Sequence, residues 1–184
     1  MAYFYFDYRD ANKQGLRELI SSFLAQLSAH SEPRGDILSN LYLTHDEGKK
    51  QPSDTILVEC LKRMLTLPDR HTTYLIIDAL DESPNIGIPS HRERILQLVE
   101  ELVELRLPHL RLCVTSRPEV DIRDVLELLT SERVSLHDQN GQKQDIVDYI
   151  KSVVYSNSEP TMRRWRTEDK ELVTDVLSER ADGM

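Results

Sequence analysis

Tyr74-Leu75-Ile76-Ile77-Asp78-Ala79-Leu80-Asp81-Glu82 is a short apolar run that ends in an acidic cluster. A run of this length, bounded by polar residues, has the pattern of a strand in a parallel sheet. Such a strand delivers Asp78, Asp81 and Glu82 to the carboxyl edge of the sheet, where open α/β sheets bind ligands. A magnesium–phosphate site needs carboxylates there to hold the metal's water shell and to orient an attacking water. The stretch therefore reads as a Walker B element of a nucleotide-binding domain. It also reads as a buried strand followed by an acidic, solvated turn.

The flanking sequence supplies the rest of an α/β pattern. Ala2–Asp7 is aromatic and strand-like. Leu16, Leu19, Ile20, Phe23, Leu24 and Leu27 recur at helical spacing. Ser31–Lys50 is read as a polar connector with a short helical turn at Ile37-Leu38. Pro52 and Ser53 open a helix with Leu57, Cys60, Leu61 and Met64 inward. After the central strand, Thr73–Asp78, Ser90 and Glu93 have capping-box spacing ahead of a stripe of Ile95, Leu98, Val99, Leu102 and Leu105. Leu110–Thr115 is a further strand, Val120–Leu129 a helix and Arg133–Leu136 a short strand. Alternation of this kind implies a parallel sheet with helices on its faces.

Beyond Asp138-Gln139-Asn140-Gly141 the pattern becomes purely helical. Ile146, Tyr149, Ile150, Val153 and Val154 form one helical face, and Leu172, Val173, Val176 and Leu177 another. Thr167 is a cap, with Glu168 and Asp169 in the first turn. The expected organisation is an α/β domain over residues 1–140 and the start of an all-α subdomain over residues 141–184.

The chain holds 23 basic and 32 acidic residues among 184, a net charge of −9. That balance argues against a surface built for nucleic acid or anionic lipid. The Arg163-Arg164-Trp165-Arg166 cluster is read as a solvated helix start. Cys60 and Cys113 are read as buried thiols in a reducing compartment. The six histidines are scattered without metal-ligand spacing, and there is no Gly-x-Ser-x-Gly elbow. With no signal peptide or transmembrane run in view, a cytoplasmic soluble protein is expected.

A phosphate cradle is missing. A P-loop requires Gly-x-x-x-x-Gly-Lys-Ser/Thr, whose backbone amides and lysine hold the phosphates. Of the six glycines only Gly48 precedes a lysine, and Lys49 is followed by Lys50. There is no Walker A motif.

Three segments, Tyr3–Asp10, Leu75–Glu82 and Leu112–Glu119, carry a resemblance. Together, and especially through Asp-Ala-Leu-Asp-Glu and Thr-Ser-Arg-Pro, the chain resembles the NACHT-type P-loop NTPase domains of fungal STAND proteins that have a nephrocystin-3-like amino-terminal domain. The resemblance implies that Asp78 holds magnesium through water. It implies that Asp81 or Glu82 orients or activates the hydrolytic water, and that Arg117 senses the γ-phosphate. A guanidinium at a strand's carboxyl end can pair with phosphate oxygens and signal their loss. Residues from about Gln142 onward resemble the helical subdomain that packs over the nucleotide and moves with its phosphate state. Intact relatives use magnesium and ATP and continue into repeats that bind partners.

In that family the sheet order resembles 5-1-4-3-2, and the first strand leads into the P-loop. The segments here correspond to strands 2, 3, 4 and 5, so the sheet is expected to lack its first strand. Truncation of the sequence upstream is the expected reason. Without P-loop amides and lysine the chain is expected to bind ATP weakly or not at all and not to hydrolyse it. Two functions follow. One is a fragment of a regulatory NACHT/STAND NTPase, an ATP-dependent switch in signalling or assembly. The other is a non-enzymatic interaction module that binds a protein partner, through self-association or with an intact homologue.

Overall fold

A computed structural model describes residues 1–29, 31–68, 71–135, 140–156 and 162–180. The chain divides into two compact units, residues 1–130 and 131–184.

The first unit is an α/β layer built on a parallel sheet. Its elements are β1 (Ala2–Tyr5), α1 (Leu16–Ser28), α2 (Glu32–Thr44), α3 (Asp54–Thr66), β2 (Thr73–Asp78), α4 (His91–Glu104), β3 (Leu110–Val114) and α5 (Val120–Leu129). The sheet order is β1-β2-β3, both pairs parallel, so the acid-bearing strand lies in the middle. Tyr3 is in register with Ile76, and Ile76 with Cys113. These are the three strands expected to be contiguous, in the expected order.

Alternation decides what each strand buries. Ala2, Phe4 and Phe6 face the core with Thr73, Leu75 and Ile77. They meet the leucine-rich face of α1, the inward residues of α3 and the Ile95–Leu102 stripe of α4 in one cluster. Each large apolar side chain fully removed from water there contributes about 1.5–3 kcal/mol. The opposite face of the sheet is open among the described residues: Tyr3, Tyr5 and Tyr74 are about half exposed, and Cys113 is exposed. The apolar run at Leu75–Ile77 reads as a strand buried on both faces, but the described helices of this unit pack on one face. The expectation that Cys113 is buried is corrected for the same reason, because its odd register position puts it on the open face.

The two edges of the sheet differ. On β1 the outward backbone of Tyr3 is closed by Gln26 of α1, which accepts from the Tyr3 N–H at 3.1 Å and donates to its carbonyl at 2.7 Å. The side-chain amide thus imitates one residue of a neighbouring strand. On β3, Thr73 N–H bonds His109 O and Thr115 N–H bonds Ile77 O, which fixes the odd residues toward β2 and turns Leu112 and Val114 outward. Among the described residues no backbone group pairs with that outer side of Leu112 and Val114.

Two expectations need correction here. Ser31–Lys50 is not a connector with one turn, since Glu32–Thr44 is a 13-residue helix with Pro33 in its first turn. Pro33 fits because the first-turn N–H groups lack intrahelical partners in any case. Arg34 then buries its guanidinium, donating to Met64 O at 3.2 Å and Thr73 Oγ1 at 3.3 Å. Arg133–Ser135 is not a strand. Val134, its one large apolar residue, is 74% exposed. Leu136, Asp138 and Gln139 lie outside the described residues.

The second unit contains α6 (Asn140–Val154) and α7 (Thr167–Arg180). Val154 is buried, but the expected inward face of α7 is largely wet, with Leu172 64% and Leu177 47% exposed. Thr174 takes the buried position instead, its hydroxyl returned to Lys170 O at 2.8 Å. A pair of helices has one shared seam, too narrow to enclose a full apolar stripe on each. None of the described helices is long and apolar enough to cross a membrane.

Candidate functional site at the carboxyl edge of the sheet

β2 ends at Asp78 because Ala79 adopts a left-handed conformation, φ 54° and ψ 48°. A non-glycine residue is uncommon there, and the surroundings hold it. Ala79 N–H donates to Thr115 Oγ1 at 3.0 Å, and Leu80 N–H donates to Thr115 O at 3.0 Å. Leu80, with no exposed surface, plugs the turn into the core. The short helical turn Leu80–Glu82 follows.

Thr115 is therefore the junction of β2 and β3. Its N–H bonds Ile77 O, its carbonyl takes Leu80 N–H, and its hydroxyl accepts from Ala79 while donating to Asp78 Oδ1. The carboxylate of Asp78 stays exposed at the strand end.

Asp81 behaves differently. Its side chain is only 10% exposed, and its Oδ1 accepts the Arg117 N–H at 3.0 Å. Arg117 Nε lies 3.5 Å from Oδ2, while the Arg117 side chain is 83% exposed. Glu82 Oε2 accepts the Tyr8 N–H at 3.2 Å, tying the turn to the segment after β1. That segment is itself organised: Asp7 accepts from the N–H of Arg9 and from its guanidinium at 2.9 and 3.0 Å. Those Arg9 hydrogen bonds hold the Asp7 carboxyl down at about 2, from an ordinary 3.8. Nearby, the bond from Lys13 Nζ to the Tyr5 hydroxyl pushes the lysine up.

The structure thus brings Asp78, Asp81, Glu82 and Arg117 to one edge but gives the acids unequal settings. Asp78 is open to solvent, Asp81 is held by Arg117, and Glu82 is spent in part on a backbone amide. Two residues that complete this edge had no role assigned from sequence. Thr115 stands inside the Leu112–Glu119 segment. Arg92 has a weak sequence signal, since it shares helical spacing with Ile95, Leu96 and Val99 on the buried face of α4.

As a complete magnesium–nucleotide site the edge does not suffice. Magnesium keeps several waters and is held by one or two carboxylates together with substrate phosphates. Among the described residues no group of three or more His, Cys, Asp and Glu is placed to hold a metal ion. The phosphates would need a glycine-rich loop of amides, and Gly48 instead sits in the turn after α2, its φ +83°.

Comparison with known families matches residues 1–117 to the family described as Nephrocystin 3, N-terminal. No curated protein and no solved structure matches the chain.

Proposed function

This chain belongs to the nephrocystin 3, N-terminal family, and from that premise we propose that it is the acid-and-sensor half of a regulatory NACHT-type ATPase. The whole assembly acts as an ATP-dependent switch in signalling or assembly, in the cytoplasm. This half neither binds nor hydrolyses ATP by itself.

The observation that carries the reading is the pairing of two strand ends. Asp78 closes β2, Thr115 follows β3, and the hydroxyl–carboxylate bond between them sets Arg117 two residues further along the same edge. In this reading, once a P-loop is supplied, Asp78 would hold magnesium through water, Asp81 or Glu82 would direct the attacking water, and Arg117 would meet the γ-phosphate. The missing amide cradle explains why the half is inactive alone, since carboxylates repel phosphate and one arginine cannot offset three of them.

Two measurements test it. Titration of the purified chain with a fluorescent ATP analogue and magnesium is expected to show no saturable binding below millimolar concentration, and micromolar binding would overturn the claim of inactivity. Mapping of the native transcript is expected to find a coding segment before Met1 with Gly-x-x-x-x-Gly-Lys-Ser/Thr. A message that begins at Met1 would overturn the switch reading.

A second reading is favoured by the outer side of β3, which pairs with no backbone group among the described residues. An open strand edge is a template for another chain, which suits a non-enzymatic interaction module that self-associates or joins an intact homologue. It predicts concentration-dependent self-association, or capture of that homologue, that is indifferent to ATP.

A further inference from the structure

Arg92 is the most buried charged group near the edge, its side chain 6% exposed, yet it lies in neither of the two acid-bearing strand ends. Its guanidinium joins them. On one side Nη2 donates to Asp81 O at 2.5 Å and Nε donates to Ser83 O at 3.1 Å. On the other side Nη1 pairs with Glu119 and with Asp121 Oδ2, the latter at 3.2 Å. The first pair belongs to the turn after β2. The second belongs to the segment that follows Arg117 into α5. Asp81 is thus gripped twice, through its carbonyl by Arg92 and through its carboxylate by Arg117.

We propose that Arg92 is a positioning residue that couples the Asp81 turn to the Arg117 segment, so that the two move as one body. The chemistry suits arginine in particular. A planar fork with five donors can serve two carbonyls and two carboxylates at once, and lysine cannot. Burial makes the arrangement all-or-none, because a guanidinium that loses its carboxylates there is left with an uncompensated charge. The Asp81–Arg117 contact is then the adjustable part, since its arginine side is largely in water, where an ion pair is weakened, and an incoming anion can compete for the guanidinium. The buried Arg92 junction passes that change to the turn and to α5.

The proposal uses the preceding reading only where it calls the incoming ligand an anion of phosphate type. Its test needs no nucleotide, so either can fail while the other stands. The test is amide hydrogen exchange, residue by residue, on the full chain. Arg92→Gln is expected to speed exchange at Arg117, whose N–H rests on Asp81 Oδ1, and at Glu119, whose N–H rests on Arg117 O. The expected rise is about tenfold or more. Thr115, whose N–H rests on Ile77 O, is expected to stay within about twofold. Arg92→Lys is expected to recover part of the protection. In an Asp81→Ala background, where the acceptor is already gone, Arg92→Gln is expected to change Arg117 by less than about twofold.

Unchanged exchange at Arg117 and Glu119 in a folded Arg92→Gln chain would overturn the proposal. So would an equal rise at Thr115 and along β2 and β3, the behaviour of a general stabiliser. Should Arg92→Gln not fold, the double variant Glu119→Gln/Asp121→Asn releases the same junction from its more exposed side. It is expected to give the same local pattern, and no change at Arg117 in that variant would also refute the coupling.

Discussion

The hydroxyl of Thr115 and the carboxylate of Asp78 bond across β3 and β2, one residue past the last paired rung, Ile77 with Val114. The same hydroxyl oxygen accepts from Ala79, the residue that turns the chain out of the sheet. One side chain thus fixes both the position of the acid and the left-handed bend after it. Thr115→Val keeps the shape and removes both bonds. It is expected to lower stability by about 1–2 kcal/mol in urea unfolding, whereas Thr115→Ser is expected to stay within about 0.5 kcal/mol of the parent.

Gln26 and Tyr3 supply a second test. Gln26→Ala uncovers the outer N–H of Tyr3 and leaves its carbonyl only the longer Ser22 hydroxyl contact at 3.5 Å, without touching the apolar face of α1. A loss of about 1 kcal/mol is expected. Light scattering is expected to show more self-association than for the parent, because the variant has a second bare strand edge.

Asp7 gives a pH dependence whose sign is fixed by its environment. The hydrogen bonds of Arg9 lower its folded-state value to about 2, below the ordinary 3.8. Ionised Asp7 therefore favours the folded state above about pH 4, and that contribution drains away as the pH falls toward about 2. The carboxyl resonance of Asp7 is expected to titrate near the lower value in the folded chain. Asp7→Asn is expected to remove its share of the acid sensitivity between those limits.

The two cysteines separate by accessibility. Cys60 is buried on α3, and desolvation pushes its thiol up, away from the reactive thiolate. Cys113 is exposed on β3. One equivalent of an aromatic disulfide reagent is expected to react with the native chain, at Cys113, and the second only after denaturation. Cys113→Ser is expected to abolish the native reaction.

How much of this was legible in the sequence depends on whether a signal is local. The stripe of α1, the capping box of Ser90 and Glu93, and the three strands follow from spacing, and the structure has them within a residue or two. Helix α2 was not legible, because its segment reads as a polar connector, with too few apolar residues to mark a buried face. What stabilises it is remote: Arg34 reaches Met64 and Thr73, and Ile37, Leu38 and Leu41 lean on the core. The candidate edge was legible as a set of acids and one arginine, but not as a set of unequal ones. Whether Asp81 faces water or Arg117 is decided by where the end of β3 falls against the end of β2, a contact between residues 36 apart. Arg92 was hidden for a related reason. A charged residue on an apolar stripe reads as a break in the pattern until the groups that receive its five N–H donors are in place.

The half-covered sheet has a calorimetric consequence. Parallel strands ordinarily lose solvent on both faces, and here the tyrosines of β1 and β2 keep theirs on one. Unfolding therefore newly hydrates less apolar surface than the chain length suggests. The heat-capacity step per residue is expected to fall below about 12–15 cal/mol/K, with a denaturant slope correspondingly shallow for its size. A binder that seats on Tyr3, Tyr5 and Tyr74 would steepen both, so heat capacity offers a way to detect occupation of that face without knowing the occupant.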